Sequence, residues 1–172
     1  MTARTDGAAS EVPPPPSAGE RLSILRATRT VAILGMSTDT SRASYFVATY
    51  LLSSSCSFEH VWFVNPKGGH VLGQPVYPSL ASLPEPPQLV DVFRRAEDLP
   101  AVAEEVVAVD GTRTLWCQLG LRSDDAARIA HAAGRAVVMD RCLKIEHARL
   151  AGGLHLAGFD TGVISSRRRR DL

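Results

Sequence analysis

Five short runs rich in β-branched and aromatic residues recur along the chain: TVAILG (30–35), HVWFVN (60–65), QLVDVF (88–93), RTLWCQLG (113–120) and RAVVMD (135–140). Each is nearly continuous in apolar side chains, the pattern of a strand covered on both faces. Helix-periodic stretches separate most of them, and that alternation dictates βαβ units around a parallel sheet. The expected fold is α/β, a doubly wound parallel sheet of five strands in order 3-2-1-4-5 with helices on both faces. A chain of 172 residues that is 45% hydrophobic has material for one sizeable core and hence one domain.

The helical stretches carry their own boundary signals. A short helix over 20–29 leads into the first strand. Ser44 is placed to cap a helix with Phe46, Val47, Tyr50 and Leu51 on one face. Leu99, Val102, Ala103 and Val106 share a face just after Pro100, which suits a helix start. In SDDAARIAHAAG, cap residues and first-turn acids precede Ala126, Ile129, Ala130 and Ala133, and Gly134 ends the helix. LKIEHARL is the last helix. Residues 1–20, with a four-proline run and few large apolar side chains, read as a disordered tail. The domain is expected over 21–150, followed by a Gly-rich segment, 151–172, that ends in the basic run Arg167–Arg170. The connection 66–87, full of Gly and Pro, is long for a loop unless it binds something, and a single helical turn is expected around SLASL.

Charge and composition exclude several functions. A formal net charge of +1 offers no global field for nucleic acid or an anionic membrane, and the basic tail is expected to be solvated. No apolar run reaches the roughly 20 residues that span a bilayer, and the N-terminus lacks the apolar stretch of a secretory signal, so a cytoplasmic location is expected. Cys56, Cys117 and Cys142 lack paired spacing, which argues against a disulfide framework or a cysteine zinc site. The histidines show no metal-ligand spacing.

Ligands of doubly wound sheets sit outside the carboxyl ends of the strands, where strand order reverses. The first tip, GMSTDTSRAS, places Gly35 at a tight turn with Ser37, Arg42 and Ser44 as donors for a phosphate. It retains one glycine of the three in the dinucleotide fingerprint. The second tip is Asn65-Pro66-Lys67, where an NAD site needs an acid for the ribose hydroxyl. A cation there calls for a phosphorylated ribose, as in NADP or coenzyme A. Phe93-Arg94 and Gln118 stand at the third and fourth tips.

The segments AILGMSTDTSRASYFVATYL, VWFVNPKGGHVLGQPVYPSLASLP, LVDVFRRAEDLP, LWCQLGLRSDDAARIAHAAG and AVVMDRCLKIEH together resemble the small stand-alone CoA-binding protein family, whose Rossmann-like domain is similar to that of the succinyl-CoA ligase alpha subunit. The resemblance implies that Gly35, Ser37 and Arg42 form the phosphate loop and that Lys67 meets the charged end of CoA. It further implies that Phe93 and Arg94 line the nucleotide groove and that Gln118 lies beside the pantetheine arm. Asp39 departs from the family's usual turn. The implied function is a non-catalytic protein that binds CoA or a short acyl-CoA; a homo-oligomer is compatible with the sequence. The alternatives are an NADP-dependent oxidoreductase and the CoA-binding subunit of an acyl-CoA ligase with its catalytic domain on another chain.

Four further residues carry expectations of their own. Cys142, between Arg141 and Lys144 near a helix start, sits where a thiol pKa should be lowered and the thiol reactive. His147 is expected on a helix surface. Asp91, inside an apolar strand, must find a partner or lie at a sheet edge. Asp140 is placed to orient Arg141.

Overall fold

The computed structural model describes residues 11–53 and 56–152. The five apolar runs form strands β1 (Thr30–Leu34), β2 (His60–Val64), β5 (Leu89–Val92), β6 (Thr114–Cys117) and β7 (Ala136–Val138). Two strands not expected from the sequence, β3 (His70–Val71) and β4 (Gln74–Tyr77), lie in the long connection. A single 3-10 turn, Leu80–Ser82, occupies the SLASL segment.

The sheet order is β3-β4-β2-β1-β5-β6-β7, and every neighbouring pair is parallel except the β3/β4 hairpin. This corrects the expected five strands in order 3-2-1-4-5: the five anticipated strands lie in order 2-1-3-4-5 within a sheet of seven. The cause is β4, whose four residues include Pro75 and have one buried side chain, Val76. Proline argues against a strand interior, and it is tolerated here because the outer neighbour is only the two-residue β3. With β4 counted as third, the six parallel strands run 3-2-1-4-5-6, the order of a Rossmann sheet. The chain therefore crosses from one side of β1 to the other between β4 and β5. That places the crevice at the tips of β1 and β5.

Helices α1 (Ala18–Ala27), α2 (Ala43–Leu51) and α5 (Leu143–Leu150) cover one face, and α3 (Leu99–Val107) and α4 (Asp124–Ala132) cover the other. Alternation along β1 divides the core, with Val31 and Ile33 under the first group and Ala32 and Leu34 under the second. Leu99, Val102, Ala103 and Val106 of α3 are buried as expected, and Ser123 caps α4 by accepting from the Ala126 N–H. On α2 the inward set is Ser44, Val47, Ala48 and Leu51. Phe46, expected on that face, is instead exposed.

α1 is tied to α5 by a buried ion pair in which Arg21 Nε lies 2.8 Å from Glu146 Oε2. Arg21 also donates to the Pro16 carbonyl at 2.6 Å. Pro13–Pro15 share a cleft with Val137 beside the β7 edge. Proline has no N–H to add to a ladder, so this segment can cover the edge without extending the sheet. Arg167–Arg170 lie outside the described residues.

Candidate functional site

The site is built on the meeting of β1 and β5. Phe93 N–H donates to the Leu34 carbonyl at 2.8 Å, and Gly35 and Met36 N–H both donate to Val64 at 2.9 and 3.1 Å. At Gly35 φ is +91°, and a Cβ added there would lie 2.5 Å from the Phe93 carbonyl oxygen. Only glycine meets both demands, a left-handed backbone and contact with the neighbouring strand tip.

The turn after Gly35 is held by its own side chains. Ser44 does not cap α2: Arg42 is the N-cap residue, without a side-chain bond, and Ser44 lies buried in the first turn, where its Oγ accepts from Ser37 N–H at 3.2 Å. Ser37 Oγ accepts from Asp39 N–H at 3.1 Å. The Asp39 carboxylate accepts from the Ser41 hydroxyl and N–H, which hold its pKa below the usual carboxylate range, and Arg42 lies 3.6 Å away. The charge of Asp39 is thus engaged inside the turn. The uncapped start of α2 faces the cleft with free backbone donors, a favourable arrangement for an anion.

Asn65 has a structural role at the second tip. Its Nδ2 donates to the Met36 carbonyl at 2.8 Å, and its Oδ1 accepts from Lys67 N–H at 2.9 Å. It clasps the β2 tip to the β1 turn and sets the backbone of Lys67. Pro66 and Lys67 are exposed.

Two clefts open at these tips and share Gly35, Arg42, Phe93 and Arg94, so they run into one another. The first, about 530 Å³, also takes in Ser37, Ser44 and Gln118 and has an apolar wall of Val47, Leu119, Leu121 and Cys142. The second, about 660 Å³, adds Asn65, Pro66, Lys67, Arg95 and one acid, Asp98. Arg95 is engaged by Glu97 at 3.2 Å and Asp98 at 3.1 Å. None of the ion pairs among the described residues uses Lys67 or Arg94. One end of the combined cleft is thus cationic, and the other is mainly uncharged. All ten residues singled out in the sequence lie on this double cleft. The residues missed are Ala43, Val47, Leu119 and Leu121 of the apolar part, and Arg95 beside Arg94 in FRR was within reach of the strand-tip rule.

Three expectations are corrected, and that for Asp91 is met by its partner Gln118, whose Nε2 donates to it at 2.6 Å. Cys142 lines the cleft, yet burial pushes its thiol pKa up, and backbone N–H groups at the start of α5 only partly offset this. Of the flanking charges Lys144 lowers it, but less than burial raises it, and Arg141 is exposed; the Lys144 ammonium reaches over the Tyr50 ring, 5.9 Å from its centre. His147 is buried and not on a helix surface, with Nδ1 3.0 Å from the Tyr50 hydroxyl and 3.7 Å from Cys56 Sγ, and burial lowers its pKa. Asp91 lies in the sheet interior rather than at an edge, between β1 and β6. Asp140 orients the Gly120 N–H, which it accepts at 2.7 Å, while Arg141 lies 3.9 Å from Glu146. Among the described residues there is no cluster of His, Cys, Asp and Glu fit to hold a metal, and no helix is long and apolar enough to cross a membrane.

Comparison with known proteins bears on this site. Residues 29–148 match the family model described as a CoA binding domain. The chain is 35% identical over 133 residues to the uncharacterised protein YneT of Bacillus subtilis (strain 168), covering 77% of this chain and 96% of that protein. A hypothetical protein of Pyrococcus horikoshii OT3 superposes with a TM-score of 0.73 at 30% identity, over 83% of this chain and 99% of its own. A Thermus thermophilus protein does so with a TM-score of 0.71 at 34% identity, over 78% and 99%.

Proposed function

The chain belongs to the CoA-binding domain family, and from that premise we propose that it binds coenzyme A or a short acyl-CoA across the carboxyl edge of its sheet, as a binding protein rather than a catalyst. The observation that carries this reading is the division of the double cleft into a cationic end and a mainly uncharged one, with Arg42 and Arg94 common to both. CoA is divided in the same way: a ribose phosphate and a pyrophosphate at one end, a neutral pantetheine arm with amides and a thiol at the other.

The residues present fit that ligand. Gly35 lines both clefts with its backbone close against the β5 tip, and the start of α2 with Arg42 and Ser37 suits the pyrophosphate. Lys67 and Arg94, free of ion pairs among the described residues, suit the ribose phosphate. Phe93 and the apolar wall with Gln118 suit the adenine and the arm respectively. Among the described residues that line the cleft there is no acid–base pair, and burial, which raises the Cys142 pKa, leaves that thiol unactivated.

Calorimetric titration with CoA and dephospho-CoA tests the proposal. Binding of CoA about tenfold tighter than dephospho-CoA is expected, the contribution of one charge-assisted contact, and a variant that carries both Lys67→Met and Arg94→Met should bind the two alike. Equal affinity of the unaltered protein for both ligands would remove Lys67 and the ribose phosphate from the account.

A further inference from the structure

Asp91 occupies the centre of the sheet, opposite Ile33 on one side and Trp116 on the other. It is fully buried, and an acid there costs free energy that a valine would not. Alternation along β5 turns it to the same face as Leu89, beneath α2 and α5. Gln118, two residues beyond Trp116, shares that face and lines the cleft. Its Nε2 donates to Asp91 Oδ1 at 2.6 Å, while Asp91 Oδ2 is sealed from solvent without a partner. The Gln118 carbonyl oxygen accepts no hydrogen bond among the described residues, and it is not among the sealed unpartnered atoms. It is therefore open to the cleft.

A glutamine amide is nearly symmetric in shape, with a donor at one end and an acceptor at the other. What stands beside it decides which end faces out. Gln118 Nε2 donates to Asp91 Oδ1, which is an acceptor when the carboxyl is ionised or carries its proton on Oδ2, and the NH₂ group is thereby claimed. We propose that Asp91 is a positioning residue for ligand binding: it holds Gln118 with its carbonyl oxygen toward the cleft, creating an acceptor subsite for a neutral N–H donor of the ligand. Resting on the CoA reading above, this assigns the donor to an amide N–H of the pantetheine arm.

The test is calorimetry with two probes, CoA and adenosine 3′,5′-bisphosphate, which shares the charged end of CoA and lacks the arm. Asp91→Asn retains an Oδ1 acceptor for the same N–H and should keep CoA affinity within about twofold. Asp91→Leu and Gln118→Leu should each weaken CoA about tenfold, the factor of one hydrogen bond, and leave the bisphosphate unaffected. The Gln118 variant alters a residue at the cleft surface and reads the subsite even if Asp91→Leu fails to fold. The proposal is overturned if Gln118→Leu binds CoA as the unaltered protein does, if Asp91→Asn loses as much as Asp91→Leu, or if CoA and the bisphosphate weaken in parallel. An unaltered protein that binds neither probe overturns the CoA reading itself, and this proposal with it.

Discussion

A single glycine decides whether the two strand tips can meet. Gly35→Ala forces a Cβ to 2.5 Å from the Phe93 carbonyl at a φ of +91°, and a loss of about 1–3 kcal/mol in denaturant unfolding is expected. Asp91 makes a second prediction at this scale. Burial pushes its pKa up from 3.8 to about 8, so between those values the folded chain holds a proton that the unfolded chain has released. The Asp91 contribution to stability therefore falls as pH rises through that window and levels off above it, while His147, whose pKa burial lowers, contributes in the opposite sense below its ordinary value of 6.5. Asp91→Asn lacks this dependence: it should match the unaltered protein at pH 5 and exceed it at pH 9, by on the order of 1–3 kcal/mol in chemical denaturation. The neighbouring Cys117 and Cys142 thiols, also shifted upward by burial, stay neutral through the window. Gly35 and Lys67 were legible in the sequence because a strand tip restricts which residue types serve there. The depth of Asp91 and the burial of Cys142 and His147 were not, since each depends on how α5 settles over β5, β6 and α2.

At the scale of elements, α2 and the α1–α5 pair make contrasting predictions. α2 begins without a side-chain cap, so a bound phosphate should supply what the sequence does not. Hydrogen exchange over residues 43–47 is expected to slow on CoA binding, and exchange that ignores CoA would move the anion elsewhere. Arg21 and Glu146 are buried as a pair, so Arg21→Ala should cost about 3–5 kcal/mol by stranding Glu146, whereas Arg21→Met with Glu146→Leu should cost far less. Helix periodicity located α3 and α4 because their apolar faces are regular and their ends carry proline, serine or glycine signals. It failed on β4, where Pro75 and partial exposure mimic a loop, and on Phe46, which stands beside the inward stripe of α2 without joining it.

For the whole molecule, strand alternation specified a parallel sheet with helices on both faces, and the four missed residues Gln74–Tyr77 changed the strand order. The crevice was still locatable, because the chain must cross β1 wherever the third strand lies, and the tips of β1, β2, β5 and β6 converge there. The central claim concerns what that crevice holds. Native mass spectrometry of the protein offered CoA and NADPH together tests it most directly. One CoA or acyl-CoA per chain is the predicted mass, and a chain that takes NADPH, or neither ligand, contradicts it.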